Sequence, residues 1–83
     1  MALYLINLPF SHVGLDMAKR DADAKVVLIE DGVYADTSGL DNVYAVKEDV
    51  EKRGVADRVG GARIIDYDEL VDLIVDNKVV NFA

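Results

Sequence analysis

Four short apolar runs punctuate this chain without polar alternation: Leu3-Tyr4-Leu5-Ile6, Val26-Val27-Leu28-Ile29, Val43-Tyr44-Ala45-Val46 and Ile64-Ile65. A strand with one wet face alternates apolar and polar side chains. A strand buried on both faces need not. Such runs suit a parallel sheet that helices cover on both sides. Stretches with helical spacing lie between them, and the alternation predicts a three-layer α/β/α domain with a mainly parallel sheet of four to five strands. Val79-Val80-Asn81-Phe82 is expected as a short final strand at a sheet edge.

The helical stretches differ in how clearly they are marked. Ser11 is a candidate N-cap for the first, with Val13, Met17 and Leu15 as its apolar side and Gly14 weakening it by up to ~1 kcal/mol relative to Ala. A later one opens with Glu48 and Asp49 and closes with Lys52 and Arg53, a charge order that complements the helix dipole. Gly54 then stands where a left-handed residue ends a helix, and Val55 can fold back as its apolar contact. Asp66-Tyr67-Asp68-Glu69 is a capping-box variant, followed by Leu70, Val71, Leu73 and Ile74 at helical spacing. Asn77-Lys78 marks the end. Between the second and third runs only residues 34–42 are free for a crossover, nine residues where about a dozen is usual. One helical turn and a loop fit there, so one sheet face is expected to be poorly covered.

The 83 residues are read as one domain, 1–83, without linker, repeat or low-complexity segment. A chain this small buries roughly 60% of its unfolded surface and is marginally stable alone. Its 52% apolar content exceeds what so small a core needs, which points to burial against other subunits. No apolar run approaches the ~20 residues of a membrane span. Met1-Ala2-Leu3-Tyr4 lacks a basic n-region, so no signal peptide is expected, and the reading is cytoplasmic. The formal charge is −7, with nine Lys and Arg against sixteen acids. Phosphate contact needs a basic face, so direct nucleic-acid binding is not expected; the acidity serves solubility or complements a basic partner. There is no cysteine, hence no disulfide framework and no thiolate metal site.

In open α/β sheets, sites gather beyond the carboxyl ends of the strands. Three segments belong there: Asn7-Leu8-Pro9-Phe10, Glu30-Asp31-Gly32-Val33-Tyr34 and Lys47-Glu48-Asp49. Glu30-Asp31-Gly32 is first of all a strand-ending turn. Its functional alternative is a polar rim at a subunit contact, with Tyr34 as an aromatic anchor. Phe10 covers the core edge or anchors a partner. Two adjacent carboxylates can perturb each other for acid/base work, but nothing beside them supplies a reaction. His12, the only histidine, has no second histidine or cysteine to complete a metal site, and no cofactor is expected. Gly60-Gly61 is a loop pair and no phosphate cradle; there is no GxGxxG.

Residues 2–10 (ALYLINLPF), 26–35 (VVLIEDGVYA), 43–55 (VYAVKEDVEKRGV) and 64–75 (IIDYDELVDLIV) resemble, in order and spacing, the TusB/DsrH family. That family is the smallest branch of the DsrE/DsrF/DsrH group, which passes persulfide sulfur between proteins for tRNA 2-thiouridine synthesis or dissimilatory sulfur oxidation. Sulfur transfer needs a thiolate. In the sulfur-carrying paralogues a cysteine sits several residues before an Arg-Gly pair, in the loop entering the same helix. Here Arg53-Gly54 is kept, and the matching region is about Val46-Lys47-Glu48. The shortened 34–42 region departs from the family, whose members usually carry a longer helix there.

The resemblance implies a non-catalytic subunit of an intracellular sulfurtransferase complex, not an enzyme by itself. Its partners would be DsrE-like and DsrF-like (TusD/TusC-like) subunits, met through Phe10, Glu30, Asp31, Tyr34, Lys47, Glu48 and Asp49. A stand-alone homo-oligomer that binds a small ligand or acts as an adaptor is the alternative. An enzyme built on Glu30, Asp31 and Lys47 is a third reading, for which no base–nucleophile pair can be named.

Overall fold

The computed structural model of the chain describes residues 2–7, 11–55 and 61–82. Five strands, β1 (Ala2–Ile6), β2 (Lys25–Leu28), β3 (Val43–Val46), β4 (Arg63–Ile65) and β5 (Lys78–Phe82), form one sheet in the order β4-β3-β2-β1-β5. Every neighbouring pair is parallel. Helices α1 (Ser11–Lys19), α2 (Lys47–Arg53) and α3 (Tyr67–Asp76) and a 3₁₀ turn, Glu30–Tyr34, connect them. The layered α/β/α arrangement expected from the apolar runs is therefore the one found.

Handedness sorts the connections. From β1 to β4 each new strand is added on the same side, so right-handed crossovers place α1, the 3₁₀ turn and α2 on one face. The β4–β5 connection returns across the whole sheet, and the same hand puts α3 on the other face. The first face holds the larger core: Tyr4, Ile6, Val26, Leu28, Val43 and Ala45 from the strands, with Leu15, Ala18, Val33 and Val50 above them. The second is smaller, with Leu3, Val27, Val46 and Ile65 under Leu70 and Leu73 of α3. Among the described residues the poorly covered face is thus the one crossed by α3 alone. The short β2–β3 link still closes its own face, because its helical turn falls at 30–34, before the span expected to hold it, and buries Val33.

Helix α1 is rotated from its expected apolar side, of which Leu15 alone is buried. Val13 and Met17 are exposed, and Ser11, Gly14, Leu15 and Ala18 face the sheet. Ser11 is the first helical residue rather than a cap preceding it. Gly14 is a contact point. A Cβ there would run into Cδ1 of Ile6 and stand 2.9 Å from the Phe82 ring, so the helix lies closer to β1 and β5 than an alanine allows. Phe82 in turn stacks on Tyr4 across the β1–β5 pair, centroids 6.3 Å apart.

The other ends follow their expected chemistry. Gly54 closes α2 at φ 62°, ψ 33°, its N–H donating to the Glu51 carbonyl while the Val55 N–H reaches the Val50 carbonyl. Oδ1 of Asp66 accepts the Glu69 N–H at 2.9 Å to open α3, and Nδ2 of Asn77 donates to the Leu73 carbonyl at 2.8 Å to close it. No helix among the described residues is long and apolar enough to cross a membrane. Gly60 lies outside the described residues.

Candidate functional site

The carboxyl ends of β1, β2 and β3 deliver Asn7, Glu30 and the start of α2 to one rim of the sheet. Glu30 turns the chain with φ 48°, a left-handed conformation that a non-glycine residue holds only where its surroundings fix it. Two features do so. Its N–H donates to Oδ2 of Asp49 at 2.8 Å. Gly32 lies against β1 so closely that a Cβ would strike the Ile6 carbonyl oxygen. The glycine of Glu30-Asp31-Gly32 is thus required by close backbone approach. The positive φ of this turn falls on Glu30 and not on the glycine.

Arg53 ties the rim together from the last turn of α2. Its Nε donates to Oδ1 of Asp31 at 2.8 Å, and its Nη1 lies 3.4 Å from both Oδ1 and the carbonyl oxygen of Asp49. The side chains of Arg53 and Asp49 are 17% and 12% exposed, whereas Asp31 is 58% exposed. Asp49 is therefore an interior strut that serves β2 and α2 at once, and Asp31 is the wet end of the same network. Nδ2 of Asn7 donates to Oε2 of Glu30 at 3.1 Å, and its buried Oδ1 has no partner among the described residues.

The field at this rim is negative. Tyr67, at the start of α3 beyond β4, has its hydroxyl pKa raised above 10.0, first by the Asp49 charge, then by burial and by Glu48 and Glu30, with Arg53 opposing. Arg53 has its own pKa raised by the hydrogen bond to Asp31.

The structure thus brings Glu30, Asp31 and Asp49 together. Tyr34 is half exposed near Arg53. Lys47 and Glu48 stand exposed on the first turn of α2, with Lys47 Nζ 3.9 Å from Glu51, away from the network. Phe10 lies outside the described residues. Asn7 belonged to an expected site segment without a role of its own, and Arg53 and Tyr67 were not among the expected site residues. Arg53 stood in the sequence as a helix-end cation, and no local pattern shows that it would reach back to β2. Among the described residues no group of three His, Cys, Asp or Glu could hold a metal ion. The carboxylates are engaged in holding backbone and guanidinium. The arrangement is an acidic, hydrogen-bonded rim that holds no cysteine.

The chain matches the family described as DsrH like protein over residues 9–80. Among solved structures it is similar to protein Tm0979 from Thermotoga maritima, determined by solution NMR. The two share 31% identity with a TM-score of 0.67, and the match covers 92% of this chain and 93% of that one. No curated protein matches the chain.

Proposed function

The chain belongs to the DsrH family of sulfur-relay proteins, and from that premise we propose that it is a non-catalytic subunit of an intracellular sulfurtransferase complex. Its partners on this reading are DsrE-like and DsrF-like subunits, and the relay serves tRNA wobble-uridine 2-thiolation or sulfur oxidation. The observation that carries the proposal is what stands at the entrance of α2. Sulfur-carrying paralogues hold a cysteine there, and a helix N-terminus stabilises its thiolate. Here the entrance reads Val46-Lys47-Glu48-Asp49, and the chain contains no cysteine. The acidic rim, with Glu30, Asp31 and Tyr34 exposed, supports a contact role.

The test is sulfur transfer from labelled cysteine by a cysteine desulfurase. This chain should stay unlabelled while a DsrE-like partner takes the label and binds this chain. Tyr34→Ala should weaken that binding by on the order of 2 kcal/mol. Stable label on this chain overturns the proposal. A second reading, a self-associating adaptor, draws on the exposed apolar side chains of α3. Sedimentation of the isolated chain separates the two: a discrete homo-oligomer that ignores DsrE-like and DsrF-like subunits favours the adaptor.

A further inference from the structure

Strand β5 lies at the sheet edge and pairs with β1 alone. No residue of it is fully buried. A strand held on one side and so little buried opens at lower cost than the core. Its last residue does most to hold it. The Phe82 ring stacks on Tyr4 and fills the space over Gly14, and the Phe82 carbonyl accepts the Asn7 N–H at 3.1 Å. Asn7 also reaches the other way, its Nδ2 donating to Oε2 of Glu30 at 3.1 Å. One residue earlier, the Ile6 carbonyl accepts the Ile29 N–H at 3.0 Å and has Gly32 pressed against it. Residues 6 and 7 are therefore clasped by β5 on one side and by the turn Glu30–Tyr34 on the other.

Two unfavourable features meet at this clasp. Oδ1 of Asn7 is buried with no partner among the described residues. Glu30 is held at φ 48°. Each persists only while its surroundings over-determine it. We propose that β5 is a latch on the acidic rim. Docked, it fixes Asn7 and, through Asn7, the left-handed turn at Glu30. Released, it lets Asn7 turn its amide into water and the Glu30 turn relax, so that Glu30 and Asp31 lose their set positions. Solvation of the amide and relief of the backbone drive the same movement, which makes the rim a two-state element biased by a strand at the far end of the sequence. Asp49 and Arg53 belong to α2 and stay paired in both states. The inference concerns how the rim is held, and stands whether or not sulfur-relay subunits meet it.

Native-state hydrogen exchange of the full chain tests it, read at amides with known acceptors. Phe82→Ala should speed exchange of Asn7 and Glu30 by a common factor of about tenfold, while Val55 and Leu70, whose amides bond within α2 and α3, change little. In an Asn7→Ala background the same change should speed Glu30 less than about threefold, because the link is cut. Where Phe82→Ala does not fold, Phe82→Leu keeps an apolar side chain over Gly14 and replaces it. The parent chain gives a second reading: in low urea, Asn7 and Glu30 should share one opening that precedes that of Val55 and Leu70. Acceleration of Asn7 with Glu30 unmoved overturns the proposal, as does uniform acceleration of all four amides. An effect on Glu30 that is undiminished by Asn7→Ala overturns it as well.

Discussion

At the scale of single residues, Asp49 does most to fix the rim. Its carboxylate accepts the amide that allows Glu30 its left-handed turn and lies against a largely buried guanidinium. Asp49→Ala would leave the Glu30 N–H without its acceptor and remove the partner of Arg53. A loss of about 1–3 kcal/mol in a denaturant titration is expected. Asp31→Asn should cost at most ~1 kcal/mol, since its pairing with Arg53 is solvent-screened. Asp49→Asn separates charge from hydrogen bonding: the amide oxygen still accepts from Glu30, so the fold stays, but the chief cause of the raised Tyr67 pKa is gone. Alkaline absorbance titration should then show Tyr67 ionising closer to 10.0 than in the parent. The sign for stability follows. A folded pKa raised above the unfolded value means that the stability linked to this group is intact below about 10 and is lost as pH rises through the higher folded value. Asp49→Asn should flatten that alkaline decline.

At the scale of elements, two glycines separate conformation from packing. Gly54 sits at φ 62° with nothing within 4 Å of a would-be Cβ, so Gly54→Ala should cost about 1 kcal/mol through the backbone alone. Gly14 has ordinary helical backbone but no room. Gly14→Ala gains helix propensity yet forces Ile6 and Phe82 aside, and overpacking of that kind costs about 1–3 kcal/mol. Thermal melts of the two variants should show both destabilised, and only Gly14→Ala should move the Ile6 methyl and Phe82 ring resonances. The same residue explains what could be read beforehand. Strands buried on both faces, the ends of α2 and the cap of α3 were legible because each depends on neighbours in sequence. The orientation of α1 was not, because hydrophobicity favours Val13 and Met17 whereas the close approach to β1 and β5 selects Gly14 and Ala18. The acidic members of the rim were legible from their place after β2 and β3. The role of Arg53 was not, since it depends on a bond to a residue 22 positions earlier.

At the scale of the whole molecule, the covering is lopsided among the described residues: two helices and a 3₁₀ turn over one face, a single helix over the other. A chain that completes its cover with a partner should gain stability by mass action. With the partner at 100 times its dissociation constant the gain is about 2.7 kcal/mol, visible as a higher melting midpoint in a titrated thermal shift. An unchanged midpoint at saturating partner would mean that binding leaves the folding equilibrium untouched. The pairing of β5 with β1 carries a consequence in time. Ala2 aligns with Lys78 and Ile6 with Phe82, so the sheet joins segments 76 residues apart. While the chain is being synthesised, β1 can take β2 on one side, but its other edge and the space beside Gly14 stay open until residues 78–82 emerge. Long-range parallel pairing is slow, and an open strand edge invites pairing with another chain. Deleting residues 78–82 should hold the protein in that unfinished condition: present, partly paired and prone to aggregate, with the Asn7 N–H of the rim deprived of the Phe82 carbonyl it donates to.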